Sequence, residues 1–207
     1  VNTPAKLVNT LAKLVSAVLH PLCMPLLTLA MLLSEDGYLK HRMGLFSYLF
    51  VLLLINTLAP AVSLWMLQRR GFISDLDIRS RKERPWPFLL VLAYYTMAYL
   101  LVLNSTAVEV PLFYRQVLLS LVVSIGIAWL ITLRRKVSMH MMAQGGTLAV
   151  YTHVALQNGL WSMGWVTALV LSAGLVGWSR LTLGAHTPRE VYAGYTVGVV
   201  SVWLTLF

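Results

Sequence analysis

Apolar runs close to the length that a helix needs to cross a bilayer, about 20 residues, follow one another along most of this chain and leave little choice of architecture. They cover residues 14–33, 45–67, 87–103, 116–133, 141–156, 161–178 and 191–207. With 58% hydrophobic and 11% charged residues, the chain is too apolar for an ordinary soluble domain of its length. The predicted fold is all-α: a polytopic transmembrane helix bundle of about seven spans, with six as the alternative, forming one domain over residues 1–207. Pro21 and Pro25 interrupt the first run and Pro60 the second; neighbouring helices in a bundle can accommodate both. Residues 1–13 carry Lys6 and Lys13 with Leu7 and Leu11 at helical spacing, as an interfacial segment would. No cleavable signal peptide is expected, because no small-residue cleavage pattern follows the first apolar run.

The net charge of +9 could suggest nucleic acid, but the cations sit in short clusters between apolar runs, where membrane topology and anionic headgroups account for them better. Nucleic acid is therefore not an expected partner; membrane lipids are. The single cysteine, Cys23, excludes an intramolecular disulfide and any metal-binding cysteine cluster. Oligomeric state is not legible.

Polar residues concentrate in three places. The longest polar segment, 68–86, ends in Arg84-Pro85; Ser138-Met139-His140 opens the fifth run; and Ser179-Arg180-x5-His186-x3-Glu190 separates the last two runs. Two spans separate each cluster from the next, and an even number of crossings returns a chain to the same side. All three should meet at one membrane face. Arg, His and a carboxylate beside an aqueous boundary suit the holding and attack of a phosphoryl group, since a dianionic phosphate repels nucleophiles unless fixed cations surround it. The plainer reading of such a cluster is a snorkelling interfacial anchor.

In order and spacing the three clusters resemble the signature of the type 2 phosphatidic-acid phosphatase superfamily, roughly Lys-x6-Arg-Pro, Pro-Ser-Gly-His and Ser-Arg-x5-His-x3-Asp. The likeness covers roughly residues 79–194, and the third motif is its specific part. The resemblance implies a hydrolase that uses no metal or other cofactor and removes phosphate from a lipid phosphate monoester or diphosphate. His186 would attack phosphorus to give a phosphohistidine. Glu190 would orient its ring, and His140 would protonate the leaving oxygen and later activate water. Arg84 and Arg180 would hold the phosphate oxygens with help from Ser138. A lipid phosphotransferase with the same intermediate, or a non-catalytic lipid-binding or transport relative, are the alternatives.

Three positions depart from that signature. Asp77 stands where the family has Lys, so Arg79, Arg81 or Lys82 must supply that charge, with Arg79 chosen. Val137 and Met139 replace Pro and Gly, with Lys136 as a further phosphate contact, and Glu190 replaces Asp. Local roles compete at each position. Thr187-Pro188-Arg189-Glu190 has the form of a capping box with Pro at the first helical position, and Ser138 that of a helix N-cap. His20, His41 and His153 read as structural, Asn56, Gln144 and Gln157 as helix-to-helix hydrogen bonders, and Gly194 with Gly198 as a close-packing motif.

With the clusters on one face, that face carries every Lys and Arg except Lys40, Arg42 and Arg115. The positive-inside rule then puts it on the cytoplasmic side of a bacterial inner membrane, whereas many members of the family it resembles face the periplasm or lumen. Trp86 and Trp178 nearby suit a substrate whose phosphate stays at headgroup depth. Phosphatidic acid, phosphatidylglycerophosphate, a polyprenyl phosphate and the phosphate of lipid A all fit.

Overall fold

The computed structural model describes residues 3–78, 80–159 and 161–207. Among these the chain is all helix and turn, with no strand. The helices are α1 (Thr3–Val18), α2 (Met24–Glu35), α3 (Gly37–Lys40), α4 (Met43–Arg69), α5 (Pro85–Leu103), α6 (Leu112–Thr132), α7 (Met139–Asn158), α8 (Met163–Thr182) and α9 (Pro188–Leu206), with a single 3-10 turn at Arg81–Glu83. Four of them, α4, α5, α6 and α8, are long and apolar enough to cross a membrane.

That number is smaller than the seven expected, for two physical reasons. The first apolar run is not one helix. α1 ends at Val18, the backbone turns through residues 19–23, and α2 starts one residue before Pro25. Proline has no N–H to continue a helix, and Pro21 falls where α1 would have to go on. The turn is closed instead by the His20 carbonyl, which accepts from the N–H groups of Cys23 and Met24. The twelve residues of α2 extend only about 18 Å, short of the roughly 30 Å hydrocarbon core. The second reason lies in α7 and α9. At 20 and 19 residues they are long enough, but they carry small and polar residues, Gln144, Thr147 and His153 on α7 and Gly194, Gly198 and Ser201 on α9, that lower their apolar content.

Contacts at the helix ends show that the chain runs back and forth between two ends of one bundle. At one end Asn158 at the close of α7 donates to the Glu35 carbonyl, the Trp165 indole near the start of α8 donates to Ser34, and the Tyr114 hydroxyl at the start of α6 donates to Asp36. At the opposite end Arg81 donates to the carbonyls of Thr132 and Leu133, and Ser138 N–H donates to the Glu190 carbonyl at 3.2 Å. The loops that carry the three polar clusters share this second end.

The tightest seam is between α7 and α9. A Cβ on Gly145 would collide with the Tyr195 carbonyl, and one on Gly198 with the Met142 carbonyl. Backbones this close leave no room for a side chain, so the glycines set the approach that brings the start of α7 beside the start of α9. Around this seam Leu49, Leu53, Val102, Leu118, Val150 and Val202 form part of the main apolar core.

Candidate functional site

The turn between α8 and α9 places the histidine. Gly184 adopts φ +60°, a left-handed conformation that glycine enters without a Cβ penalty. Around it Ala185 N–H donates to the Arg180 carbonyl and Gly184 N–H to the Leu181 carbonyl, the paired bonds of a Schellman helix end. Two residues beyond Gly184, His186 is delivered to the end of the bundle, and Pro188 opens α9. Thr187 Oγ1 accepts from Glu190 N–H at 3.4 Å, and Glu190 Oε2 accepts from Thr187 N–H at 3.3 Å, which is a complete capping box. Glu190 Oε2 also lies 2.9 Å from His186 Nδ1. A carboxylate can only accept, so Nδ1 carries the hydrogen and Nε2 keeps its lone pair.

His186 is 8% exposed, and burial is the main force holding its ring below the usual imidazole pKa of 6.5. The charges of Arg84, Lys136 and Arg180 push the same way. The ring is neutral at physiological pH, a nucleophilic imidazole among cations.

Arg180, in the last turn of α8, is 1% exposed. Its Nη1 donates to Ser16 Oγ at 2.6 Å and stands 3.4 Å from each carboxylate oxygen of Asp77. Arg84 precedes α5 and is 3% exposed. It donates through Nε to the Ile78 carbonyl at 2.8 Å and through Nη1 to the Val137 carbonyl at 2.9 Å. Burial lowers the pKa of this guanidinium and Glu190 opposes that, leaving it charged at neutral pH. Lys136 Nζ donates to the Ala185 carbonyl at 2.6 Å, beside His186.

Ser138 is fully buried and caps α7, its hydroxyl accepting from Met141 N–H at 3.5 Å. His140 follows in the first helical turn. Its Nε2 sits 3.1 Å from both the carbonyl oxygen and the hydroxyl of Ser16. The carbonyl can only accept, so His140 Nε2 carries a hydrogen and satisfies one of the carbonyls left over at the end of α1.

Arg84, His140, Arg180 and His186 all line one cavity of about 170 Å³. The structure therefore brings together residues from all three sequence clusters, with Glu190 behind His186 and Lys136 and Ser138 beside the same turn. Of the cations considered for the first cluster, Arg79 lies outside the described residues. Arg81 is turned toward the end of α6, where it caps carbonyls, and Lys82 is exposed. Among the described residues no group of three or more His, Cys, Asp or Glu side chains is placed to hold a metal ion.

Three participants escape a reading of the sequence. Ser16 bridges Arg180 and His140 from the start of the first apolar run, which the sequence marks only as a span, and no pattern around it announces this. Asp77, which in the sequence only marks a departure from the resembled signature, faces Arg180. His20, expected to be structural, lines the cavity and sets its ring 5.1 Å from that of His140 in a T-shaped arrangement. Its position beside Pro21, at the break in the first apolar run, was the available signal.

Comparison with protein-family models, curated proteins and solved structures returned no match. What fold and site define together is a class: a helical chain with the apolar helices of a membrane protein, whose bundle carries at one end a cavity lined by arginines and a neutral, carboxylate-bound histidine.

Proposed function

We propose that this protein is a lipid-phosphate phosphatase of the type 2 phosphatidic-acid phosphatase kind, working through a phosphohistidine. The observation that carries the reading is the convergence of Arg84, Arg180, His140 and the His186–Glu190 pair on one cavity. In this reading the substrate phosphate enters between Arg84 and Arg180, whose guanidinium groups match its oxygens. His186 Nε2 attacks phosphorus while the bond to the lipid oxygen breaks and that oxygen takes a proton from His140, which enters this step doubly protonated and leaves it as the neutral ring. Glu190 stabilises the positive charge arising on His186. Water then attacks phosphorus, His140 takes its proton, and the N–P bond breaks to release phosphate. The cations neutralise charge spread over the transferring group, where phosphoryl transfer gains most.

The same reading takes α7 and α9 as spans in addition to α4, α5, α6 and α8, with their polar residues turned to neighbouring helices, Gln144 to Ser172 of α8, Thr147 to Thr28 of α2 and Ser201 to Ser124 of α6, and α1 as an interfacial helix. The cation-rich end then faces the cytoplasm by the positive-inside rule. Asp77 is the observation that favours a second reading, a non-catalytic lipid-binding protein, because it sets a carboxylate against a phosphate-holding arginine.

Phosphate release from a panel of lipid phosphates by the purified chain, with and without chelator and an acceptor alcohol, tests the proposal. The expected result is chelator-resistant hydrolysis, abolished by His186→Ala, with a trapped phosphohistidine. Transfer to the alcohol exceeding hydrolysis would identify a phosphotransferase. No release from any lipid, unchanged by His186→Ala, would leave the binding protein.

A further inference from the structure

The cavity that holds the polar residues does not stop at them. It continues along the inside of the bundle, between α2, α4, α5, α6, α7 and α9. Along α7 its wall runs from His140 to Val150, and along α5 from the Arg84 cap to Tyr95. At 1.5 Å of rise per residue, either path is about 15 Å long. The polar residues are at one end. Beyond them the wall is almost wholly apolar, with Leu29, Leu53, Leu118 and Val150 among its members. It reaches Tyr114, whose hydroxyl bond to Asp36 belongs to the opposite end of the bundle.

Residues with little or no side chain keep this path open. Ala143 lies one turn below His140 on α7, Gly146 lies below that, and Ser120 lines the deep part from α6. A volume of about 170 Å³ open to the centre of a water molecule and drawn out over roughly 15 Å has the width of one hydrocarbon chain once that molecule's radius is added, not of two side by side.

We propose that this path is a tail site inside the bundle, and that the ligand it takes is a phosphate carried on a single hydrocarbon chain, as opposed to a diacyl lipid. The inference rests on the phosphate-site reading above for the position of the headgroup. Its physical basis is the joining of two opposite environments in one cavity: fixed cations at the mouth and a sleeve of aliphatic side chains behind them. A single chain entering end-on buries its whole length against protein. The two tails of a diacyl phosphate cannot both follow, so at least one stays outside and forfeits that burial.

The test is photo-crosslinking with octyl, dodecyl and hexadecyl phosphates bearing a terminal diazirine. The protein is the full chain in nanodiscs with His186→Ala, so that nothing is cleaved. A farnesyl phosphate probe runs in parallel to separate branched from straight chains, and a diacyl phosphate probe labelled at one tail end serves as comparison. The expected result is that the dodecyl probe labels deep wall residues such as Leu118 and Val150, that Ser120→Leu shifts its label toward the mouth, and that Ala143→Leu removes deep labelling from every probe. The diacyl probe labels lipid-facing residues such as Leu130 and Leu171. Labelling of those outer residues by the single-chain probes, or deep labelling untouched by both substitutions, overturns the proposal. Because the readout needs no turnover, deep labelling of His186→Ala together with no phosphate release by the unsubstituted protein would keep the tail site and sink the phosphatase reading. Normal hydrolysis with outer labelling would do the reverse.

Discussion

His186 Nδ1 and Glu190 Oε2 lie 2.9 Å apart across the turn that opens α9, and the same oxygen accepts from the Thr187 backbone N–H at 3.3 Å. One carboxylate oxygen thus orients a buried imidazole and closes a helix cap. The two roles that compete in the sequence are both filled, and the extra methylene of glutamate over aspartate is what a side chain at the third helical position needs to fold back to the cap. The cap fixes the carboxylate, and the fixed carboxylate fixes the ring.

The two roles come apart under Glu190→Gln. Glutamine can still accept from Thr187 N–H, so thermal stability in detergent should move by no more than roughly 0.5 kcal/mol. The negative charge that stabilises an imidazolium is lost, and phosphate release should fall by about 10² to 10⁴-fold. Glu190→Ala should show the same activity loss together with about 1 kcal/mol less stability, from the missing cap. Equal activity in the glutamine variant and the parent would refute the orienting role.

Burial and the charges of Arg84, Lys136 and Arg180 hold the His186 pKa below 6.5. In the proposed mechanism the neutral ring is the attacking form, so the acid limb of kcat/KM is expected below pH 6.5. Removing a cation relieves part of the depression, and Lys136→Met should therefore shift that limb upward, toward 6.5. The stability effect has the opposite course to that of a histidine with a raised pKa. The unfolded chain takes up the proton first as pH falls below 6.5, so this contribution to stability is lost from there downward through the folded value. A limb that moves to lower pH in Lys136→Met would contradict the assignment.

Asp77 stands 3.4 Å from Arg180 in the loop before α5, at the position where the resembled signature has a cation. A carboxylate there competes with an incoming phosphate for the same guanidinium. Asp77→Asn keeps the shape and drops the charge, so vanadate or phosphate should inhibit the variant at lower concentration, by about 5 to 10-fold for roughly 1 kcal/mol of relieved competition. Weaker inhibition would mean that Asp77 positions Arg180 for the anion and does not compete with it.

How much of this was legible in the sequence differs from element to element. The runs 87–103 and 161–178 fall largely within α5 and α8, because uninterrupted apolar stretches bounded by polar residues leave a membrane helix few alternatives. The run 14–33 misled. Hydropathy does not register that Pro21 removes an N–H, and the result is α1, a turn and a short α2. Arg84, His140, Arg180 and His186 stand out in the sequence by type and spacing, and in the structure they line one cavity, with two helices between each cluster and the next. Ser16 was not found. Its partners Arg180 and His140 lie 164 and 124 residues away, and the contacts depend on how the broken first segment folds back over α8, where Ser179 Oγ donates to the Ala12 carbonyl at 2.7 Å. Nothing local to residue 16 encodes that. Arg81 has the charge that the first cluster needs, but it donates to the open carbonyls of Thr132 and Leu133 at the end of α6.

The seam between α7 and α9 links packing to the site, and Gly194 tests the link. A Cβ there would stand 2.5 Å from the Ser138 carbonyl oxygen, closer than real contacts allow, and the atom it meets is backbone. Gly194→Ala must therefore push the start of α7 away from the start of α9, stretching the bond from Ser138 N–H to the Glu190 carbonyl. Overpacking of this kind costs about 1 to 3 kcal/mol. Because it also displaces Ser138 and His140 relative to His186, phosphate release should fall by more than the loss of folded protein explains. Gly126→Ala on α6 adds the same methyl into open space and should be neutral or slightly stabilising through helix propensity. Thermal unfolding in detergent and activity per folded molecule, measured on both variants, separate the effects. A Gly194→Ala protein with lowered Tm but full specific activity would show that the seam holds the bundle together without setting the geometry of the site.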